Sequence, residues 1–203
     1  MAKKELDLST EEKIKEAARK VFTEKGFSAA RTRDIAEEAG MNLALLNYYF
    51  RSKERLFDII MIENIQKFVV AVKGILNNES VPLKMKVEQI SSNYIDMLVL
   101  NPDLPLFILS ELRANPERLI DRLGVKGFLF KSHYFKQIKE AAKNQEVNSL
   151  HFFINTMALI VFPFVASPLL KTIGDIKQDE FTKLMLERKK LVAKWVEAML
   201  KAK

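Results

Sequence analysis

Cationic, amide and aromatic side chains concentrate between residues 31 and 53 of the chain. Arginine and lysine donate hydrogen bonds to phosphate oxygens, asparagine can read an adenine edge, and leucine can pack on a thymine methyl. Two of the candidates, Thr32 and Lys53, lie near predicted helix N-termini, where backbone N–H groups attract anions. The chemistry that these residue types predict is phosphate binding together with contact to base edges.

Local periodicity places these residues on a helix-turn-helix. Thr32 can cap a short helix that runs through Glu38, Gly40 follows the end of that helix, and Asn42 can cap the next one. In such a pair the second helix enters the major groove while the first crosses the DNA backbone. The groove-facing candidates are Leu43, Ala44, Asn47 and Tyr48, and the phosphate-binding candidates around them are Arg31, Thr32, Arg33, Arg51 and Lys53. Short glycine-containing helix pairs also occur in many helical proteins, so the pattern alone leaves a purely structural role open.

The elements that must position this pair are also helical. Ser9 and Glu12 form a capping box for a first helix over about residues 10–25, which Gly26 ends, and Ser52 caps a long fourth helix over about residues 53–76. Further helices are predicted over residues 82–100, 105–113, 116–123, 125–143, 148–170 and 179–202. We therefore predict an all-α fold, with a three-helix helix-turn-helix domain for DNA binding over residues 1–52 and a helical second domain over residues 53–203.

Composition narrows the class of protein. The chain has 203 residues, a net charge of +7 and no cysteine, which excludes disulfides and thiol nucleophiles, and its basic balance favours polyanionic partners. Acidic residues at positions 5 and 7 stand where a secretory signal has an apolar run, and the longest apolar run, residues 157–166, is too short to span a bilayer. We therefore predict a soluble, cytoplasmic protein. No phosphate-binding glycine loop or hydrolase motif is present, so we expect no enzyme activity, no cofactor and no metal site.

The segment from Ile14 to Leu56 resembles the tetracycline-repressor (TetR) family of bacterial transcriptional regulators. The residues that carry the resemblance, in the order and spacing of the family, are Ile14, Ala17, Ala18, Phe22 and Gly26, followed by Thr-Arg-Asp-Ile-Ala at 32–36, Ala-Gly at 39–40 and Leu-Asn-Tyr-Tyr-Phe-Arg-Ser-Lys-Glu-Arg-Leu at 46–56. This segment covers about a quarter of the chain. The remainder resembles the family only in the layout of its helices.

The resemblance implies a role for several residues. Thr32 and Lys53 are expected to bind phosphates, while Tyr48 and Tyr49 contact the backbone or the bases. The helix that begins near Asn42 is expected to read the major groove.

Two positions depart from the family pattern. Leu43 replaces a residue that is commonly lysine or proline, and Asn47 replaces a common tyrosine. Leucine cannot donate to guanine, so we expect a thymine opposite Leu43 in each half-site, while Asn47 could read adenine or hold a phosphate.

The second domain is expected to bind a small molecule that releases the DNA, as the resemblance implies. Most of the 14 phenylalanines lie after residue 50, and ligand pockets are mostly apolar with a few polar groups. The pocket candidates are Met61, Phe68, Tyr94, Met97, Phe107, Phe128, Tyr134, His151 and Asn155. Ordinary core packing is the commoner role of such residues at helical spacing, and Asn155 could equally lie at a dimer interface.

The last two long helices are predicted to form the dimer. Residues 150–170 carry no charge when His151 is neutral, which is more apolar than the surface of a monomer should be. The interface candidates are Phe153, Met157, Val161, Phe164, Leu184, Leu191 and Trp195. Packing both helices against their symmetry mates would bury this surface, although core helices of a monomer would show the same periodicity.

The predicted function is a DNA-binding transcriptional regulator, with repression as the commoner activity in the family. It is expected to bind a pseudo-palindromic operator as a homodimer and to be released by a small-molecule effector. The predicted partners are double-stranded DNA, a second copy of the chain and the effector, with no membrane. The alternatives are a helical adaptor that does not bind DNA and an enzyme of unknown chemistry.

Overall fold

The computed structural model describes residues 9–142 and 148–201, and this part of the chain contains twelve helices and no strand. In chain order they are α1 (Thr10–Ala29), α2 (Thr32–Glu38), α3 (Leu43–Phe50), α4 (Lys53–Asn77), α5 (Leu83–Leu100), α6 (Leu104–Ala114), α7 (Pro116–Leu123), α8 (Phe128–Lys131), α9 (His133–Ala141), α10 (Leu150–Val165), α11 (Ser167–Gly174) and α12 (Gln178–Lys201). The all-α prediction is confirmed. The predicted lack of a signal peptide at residues 1–7 and the predicted helix ends at Lys143 and Ala202 lie outside the described residues.

The chain divides into two compact units, Met1–Asn64 and Ile65–Lys203, and the division falls inside α4. The sequence analysis sets the domain boundary earlier, at residues 52 and 53. The first turns of α4 belong to the first unit because the ring of Phe57 packs against Phe22 and Phe27, with centroids 5.1 and 4.6 Å away. The unit that contains the helix-turn-helix therefore also includes the first half of α4.

Helix α1 packs behind the helix-turn-helix pair, α2 and α3, as its apolar pattern predicts. The Ser9 hydroxyl accepts a hydrogen bond from the Glu12 N–H at 3.3 Å, and the stripe from Ile14 to Phe22 is buried. Gly26 has a φ of 71° and a ψ of 165°, which interrupts the helical geometry before Ala29. The predicted cap, buried face and glycine break of α1 are confirmed.

The end of α2 is a Schellman motif, which makes the turn between α2 and α3 tight. The Met41 N–H donates to the Ala36 carbonyl at 2.9 Å, and the Gly40 N–H donates to the Glu37 carbonyl at 3.0 Å. Gly40 has a φ of +65°, a conformation that residues with a side chain seldom adopt.

The start of α2 differs from the prediction. Thr32 is the first residue of the helix, and Arg31 occupies the N-cap position with extended backbone angles. The Asp34 carboxylate accepts a hydrogen bond from the Arg31 N–H at 3.0 Å, so the helix start is stabilised from inside the first turn. The prediction that Thr32 caps this helix was wrong because it overlooked this acidic residue.

In the second unit α12 packs along α5 and against α10. Apolar side chains of all three helices are buried where they meet: Ile95 and Leu98 of α5, Ile160 of α10, and Val192 and Val196 of α12. The apolar stripes that the sequence predicts on these three helices therefore build the core of the unit.

Two predicted helices of the second unit are broken. The segment 125–143 contains α8 and α9, because the Ser132 hydroxyl accepts a hydrogen bond from the Phe135 N–H at 3.3 Å and starts a new helix. The segment 148–170 contains α10 and part of α11, which are bent by 65°, with Pro168 in the first turn of α11. Within the described residues no single helix is long and apolar enough to cross a membrane, and α10 and α11 pass that test only as a bent pair.

Candidate functional site

One face of α3 is buried and the opposite face is exposed. Leu46 and Phe50, four residues apart, are 0% and 2% exposed and fix the helix to the core of the first unit. Tyr48 points outward and is 79% exposed. The Asn42 side chain accepts a hydrogen bond from the Leu45 N–H at 2.8 Å, so the predicted cap is confirmed. The other predicted groove-facing residues are also open to solvent or half-buried: Leu43, Ala44, Asn47 and Tyr49.

Cationic side chains surround the two ends of the helix-turn-helix. Arg31 and Arg33 are exposed at the start of α2, and Arg51 is exposed directly after α3. Arg51 has a φ of 64°, and the Ser52 N–H donates to the Phe50 carbonyl across it at 2.7 Å. This tight turn ends α3 and lets α4 begin within three residues. Arg51 therefore directly follows α3 in the chain.

Lys53 makes structural contacts that the sequence analysis did not foresee. Its ammonium group donates to the carbonyls of Phe27 and Ala30 at 2.9 and 3.1 Å, and it lies 4.3 Å from the centre of the Phe27 ring. These contacts tie the start of α4 to the end of α1. The acceptors are backbone carbonyls more than 20 residues away in the chain, so no local pattern reveals them. Phosphate binding by Lys53 stays a prediction.

Ion pairs hold α1 against α2. The Lys20 ammonium lies 2.7 Å from the Glu38 carboxylate, and the Lys25 ammonium lies 3.1 Å from Asp34. The hydrogen bond from Lys25, together with that from the Arg31 backbone, lowers the pKa of Asp34 below its ordinary value. Two lysines of α1 are thus engaged within the protein.

A second ionic cluster joins α1 to the part of α4 that lies in the first unit. Glu63 contacts both Lys15, at 2.8 Å, and Arg19, and Lys15 is 7% exposed. Burial alone would raise the pKa of Glu63, but the hydrogen bonds and charges of Lys15 and Arg19 outweigh it, and the pKa is lowered. This cluster fixes the contact of α4 with α1 one residue before the first unit ends.

The second unit contains a cavity of about 380 Å³. Its walls come from α4 to α10, and apart from the phenol groups of Tyr94 and Tyr134 the lining side chains are hydrocarbon or thioether. The lining residues are Ile65, Phe68, Val69, Val72, Leu76, Ile90, Tyr94, Met97, Ile108, Leu112, Leu119, Ile120, Leu123, Val125, Leu129, Tyr134, Phe153 and Met157. A volume and lining of this kind are typical of a site for a small apolar ligand.

The cavity brings together some of the predicted pocket residues and separates others. Phe68, Tyr94, Met97 and Tyr134 line it. Five predicted residues do not line it: Met61 is buried in the first unit, Phe107 is buried elsewhere in the second, Phe128 lies near the Lys73 ammonium, and His151 and Asn155 are exposed. Helical spacing identified which faces are apolar, but it could not show which of them meet around an empty volume.

The predicted interface residues also have different surroundings. Phe153 and Met157 line the cavity, and the buried ring of Phe164 packs edge-on against Phe181 at 6.0 Å. Leu184 and Trp195 are exposed, whereas Val161 and Leu191 are half-buried. Large apolar side chains that the prediction omitted are exposed on α10: Ile154 at 48% and Phe162 at 61%.

The residues that the structure describes contain no group of three or more histidine, cysteine, aspartate or glutamate side chains that could hold a metal ion. Among the described residues of the first unit, several charged side chains instead pair with one another, as Lys20 does with Glu38, and others face solvent, as Arg31 and Arg33 do. A surface with exposed aromatic, amide and arginine side chains on a short helix can contact base edges and phosphates without any bound ion.

Comparison with protein families identifies the first unit. Residues 14–60 match the model described as "Bacterial regulatory proteins, tetR family". This range includes α2, α3 and the residues of α1 and α4 that pack behind them. It also contains the whole segment from Ile14 to Leu56 that carries the resemblance.

The likeness to known proteins extends over almost the whole chain. A protein of Bacillus subtilis strain 168 described as "Probable HTH-type transcriptional regulator YttP" is 25% identical over 97% of this chain and 96% of its own length. The fold is shared with the TetR-family regulator PfmR of Thermus thermophilus, at a TM-score of 0.58 and 20% identity over 89% of this chain and 97% of that one. It is also shared with the regulator FadR of Bacillus subtilis in complex with stearoyl-CoA, at a TM-score of 0.55 and 17% identity over 90% and 97%. The first unit thus matches the TetR-family model over residues 14–60, and the similarity of the whole chain to a transcriptional regulator supports a DNA-binding regulator.

Proposed function

We propose that this regulator is a homodimeric repressor that binds a pseudo-palindromic operator in the cytoplasm and leaves it when a small apolar molecule enters the cavity of the second unit. The observation that carries the proposal is the division of α3 into a buried face at Leu46 and Phe50 and an exposed face at Tyr48. A helix fixed in this way presents its outer side chains to a groove without losing its own packing.

The proposed DNA contacts follow from that division. Leu43, Ala44, Asn47 and Tyr48 are the candidates for base contact, and Arg31 and Arg33 are candidates for phosphate contact. We further propose that the DNA backbone is contacted by Thr32, Tyr49 and Lys53. Asn42 is proposed to orient the start of α3. Counter-ion release then makes the affinity for DNA fall steeply with salt, with a slope of roughly −0.9 for each phosphate contacted.

The proposed dimer uses the outer face of α10 and α12. Ile154, Phe162, Leu184 and Trp195 expose apolar surface there, and such surface on a monomer is costly in water. Burying the same face on both copies gives an isologous interface with twofold symmetry. Two copies of α3 can then reach major grooves about one helical turn apart.

The proposed effector enters the cavity. The FadR structure that shares this fold contains stearoyl-CoA, which carries a long hydrocarbon chain, and the lining here is suited to apolar groups. Five residues of α4 line the cavity, and the same helix begins at Lys53 beside α3. We propose that a bound effector shifts α4 and thereby changes the separation of the two copies of α3.

The experiment combines two measurements on the full chain. Sedimentation at micromolar concentration is expected to give the mass of a dimer, and binding to a mixed-sequence duplex is expected to weaken with salt with a logarithmic slope of several units. A monomer mass contradicts the dimer. Absence of any binding to duplex DNA at about 50 mM salt contradicts the operator contacts, since non-specific affinity is strongest at low salt.

A further inference from the structure

The polar groups of the cavity define what it can hold. Among the 18 lining residues only Tyr94 and Tyr134 carry a polar side-chain group with a strong hydrogen-bond donor, and none carries a charge. The cavity volume of about 380 Å³ is within the range of small-molecule sites. A ligand held there therefore has most of its enclosed surface against hydrocarbon.

The two phenols differ in what their hydroxyl groups bind. The Tyr134 hydroxyl is hydrogen-bonded to Thr156, whose own hydroxyl donates to the Phe152 carbonyl at 2.7 Å. The Tyr94 ring stacks on Phe68 at 4.6 Å, and within the described residues its hydroxyl has no hydrogen-bond partner. Burial raises the pKa of Tyr94 to about 12, so the group remains a neutral donor at physiological pH. Tyr94 therefore has a donor to offer to a ligand, whereas Tyr134 is already occupied.

A buried cation contacts the backbone of one residue that lines the cavity. Lys86 is fully buried, and its ammonium group donates to the Leu76 carbonyl at 3.1 Å and contacts His133 Nδ1 at 3.0 Å. Leu76 lines the cavity, whereas the Lys86 side chain does not. Two of the three N–H groups of Lys86 are engaged by Leu76 and His133. A buried carboxylate would thus lose its hydration without gaining a charged partner.

We propose that the enclosed part of the effector is uncharged, is mainly hydrocarbon, and carries one oxygen acceptor that receives a hydrogen bond from the Tyr94 hydroxyl. This inference rests on the proposed function, because it takes the cavity to be the effector site. A ketone, an ester or a thioester carbonyl fits this description. Tyr94 then decides which apolar molecules are held, since hydrocarbon walls alone discriminate weakly among them.

The test compares four probes that share a phenyl ring and a five-carbon chain: pentylbenzene, valerophenone, 5-phenylpentanoic acid and 5-phenylpentylamine. Their affinities for the full chain are measured by displacement of the neutral fluorescent dye N-phenyl-1-naphthylamine. Valerophenone is expected to bind at least tenfold more tightly than the acid or the amine. Tighter binding of either charged probe would overturn the proposal.

Two variants isolate the hydroxyl group. Tyr94→Phe is expected to lower the affinity for valerophenone by about three- to tenfold, which is the effect of one neutral hydrogen bond. The affinity for pentylbenzene is expected to stay unchanged. Tyr134→Phe makes the same chemical change in the same cavity, and it is expected to leave the ratio of the two affinities as in the wild type. Equal losses for both probes in Tyr94→Phe would indicate a packing role only and would overturn the hydrogen bond.

The outcomes separate this inference from the proposed function. If the four probes fail to displace the dye while the protein binds DNA, the inference fails and the DNA-binding role stands. If valerophenone binds through Tyr94 but leaves the affinity for the operator unchanged, the ligand class stands and the effector role of the cavity fails. Thermal unfolding of both variants checks that each has kept its fold.

Discussion

The two units differ in where their candidate functional residues lie. In the first unit the residues predicted to meet DNA are on the surface, and Tyr48 is 79% exposed two residues after the fully buried Leu46. In the second unit the candidates line a cavity whose walls come from seven helices, α4 to α10. A surface for a rigid, repetitive partner can thus be formed by one short segment, whereas an internal site depends on the packing of many segments distant in the chain.

The largest effect is expected where α3 meets the core. Leu46→Ala removes a fully buried side chain and is expected to lower the free energy of unfolding by about 2 to 5 kcal/mol. Tyr48→Ala, on the exposed face of the same helix, is expected to change it by less than about 0.5 kcal/mol while lowering the affinity for DNA. Urea unfolding followed by circular dichroism measures both variants, and similar losses would show that the two faces are not distinct.

A smaller effect is expected from the ionic cluster between α1 and α4. Glu63→Gln removes the negative charge that Lys15 and Arg19 both contact. It is expected to lower the free energy of unfolding by about 2 kcal/mol at neutral pH. Because the pKa of Glu63 is lowered from 4.5, its contribution is complete above pH 4.5 and is lost as the pH falls through the folded-state pKa. The gap in stability between wild type and variant should therefore shrink below pH 4.5. A gap that is constant from pH 7 to pH 3 would contradict the role of the charge.

The turn between α2 and α3 provides a test of backbone geometry. Gly40→Ala is expected to lower the free energy of unfolding by about 1 to 2 kcal/mol, because Gly40 has a φ of +65° and nothing lies within 4 Å of an added Cβ. The cost is thus conformational rather than steric. Gly74→Ala in α4, where the added Cβ also meets nothing, is the matched control and should stabilise or leave the chain unchanged. Equal effects at the two positions would rule out the left-handed turn as the cause.

The smallest expected effect separates base contact from phosphate contact. Leu43→Ala is expected to reduce discrimination at one base pair by about 1 kcal/mol, whereas Arg33→Ala should weaken binding to all sequences alike. Arg33 is a better control than Lys53, because Lys53→Ala would also remove the contacts to Phe27 and Ala30. Fluorescence anisotropy with the operator and a scrambled duplex distinguishes the two variants. Losses of equal size on both duplexes for Leu43→Ala would reject its role in reading a base.

The sequence predicted the first unit in more detail than the second. The caps at Ser9, Asn42 and Ser52 and the buried faces of α1 and α3 are confirmed, because each depends on residues within a few positions of one another. The N-cap of α2 was wrong by one residue. The carbonyl contacts of Lys53 were missed, since their acceptors are distant in the chain.

In the second unit helical periodicity revealed apolar faces without their partners. Phe153 and Met157 are on such a face, yet they line the cavity, while Ile154 and Phe162 of the same helix are exposed. An apolar side chain has the same spacing whether it meets a core, a cavity or a second copy of the chain. The breaks at Ser132 and Pro168 had local signals, a serine cap and a proline suited to a first helical turn, that the continuous apolar pattern concealed.

Selection of bound sequences from random duplex DNA at about physiological salt, using the full chain, decides whether a dimer reads its operator through α3. We expect an enriched pseudo-palindrome whose half-sites lie about one helical turn, ~34 Å, or slightly more apart, with a thymine at one fixed inner position of each half-site. A folded protein that enriches no sequence, or that enriches a site without twofold symmetry, would contradict the claim that a dimer reads its operator through α3.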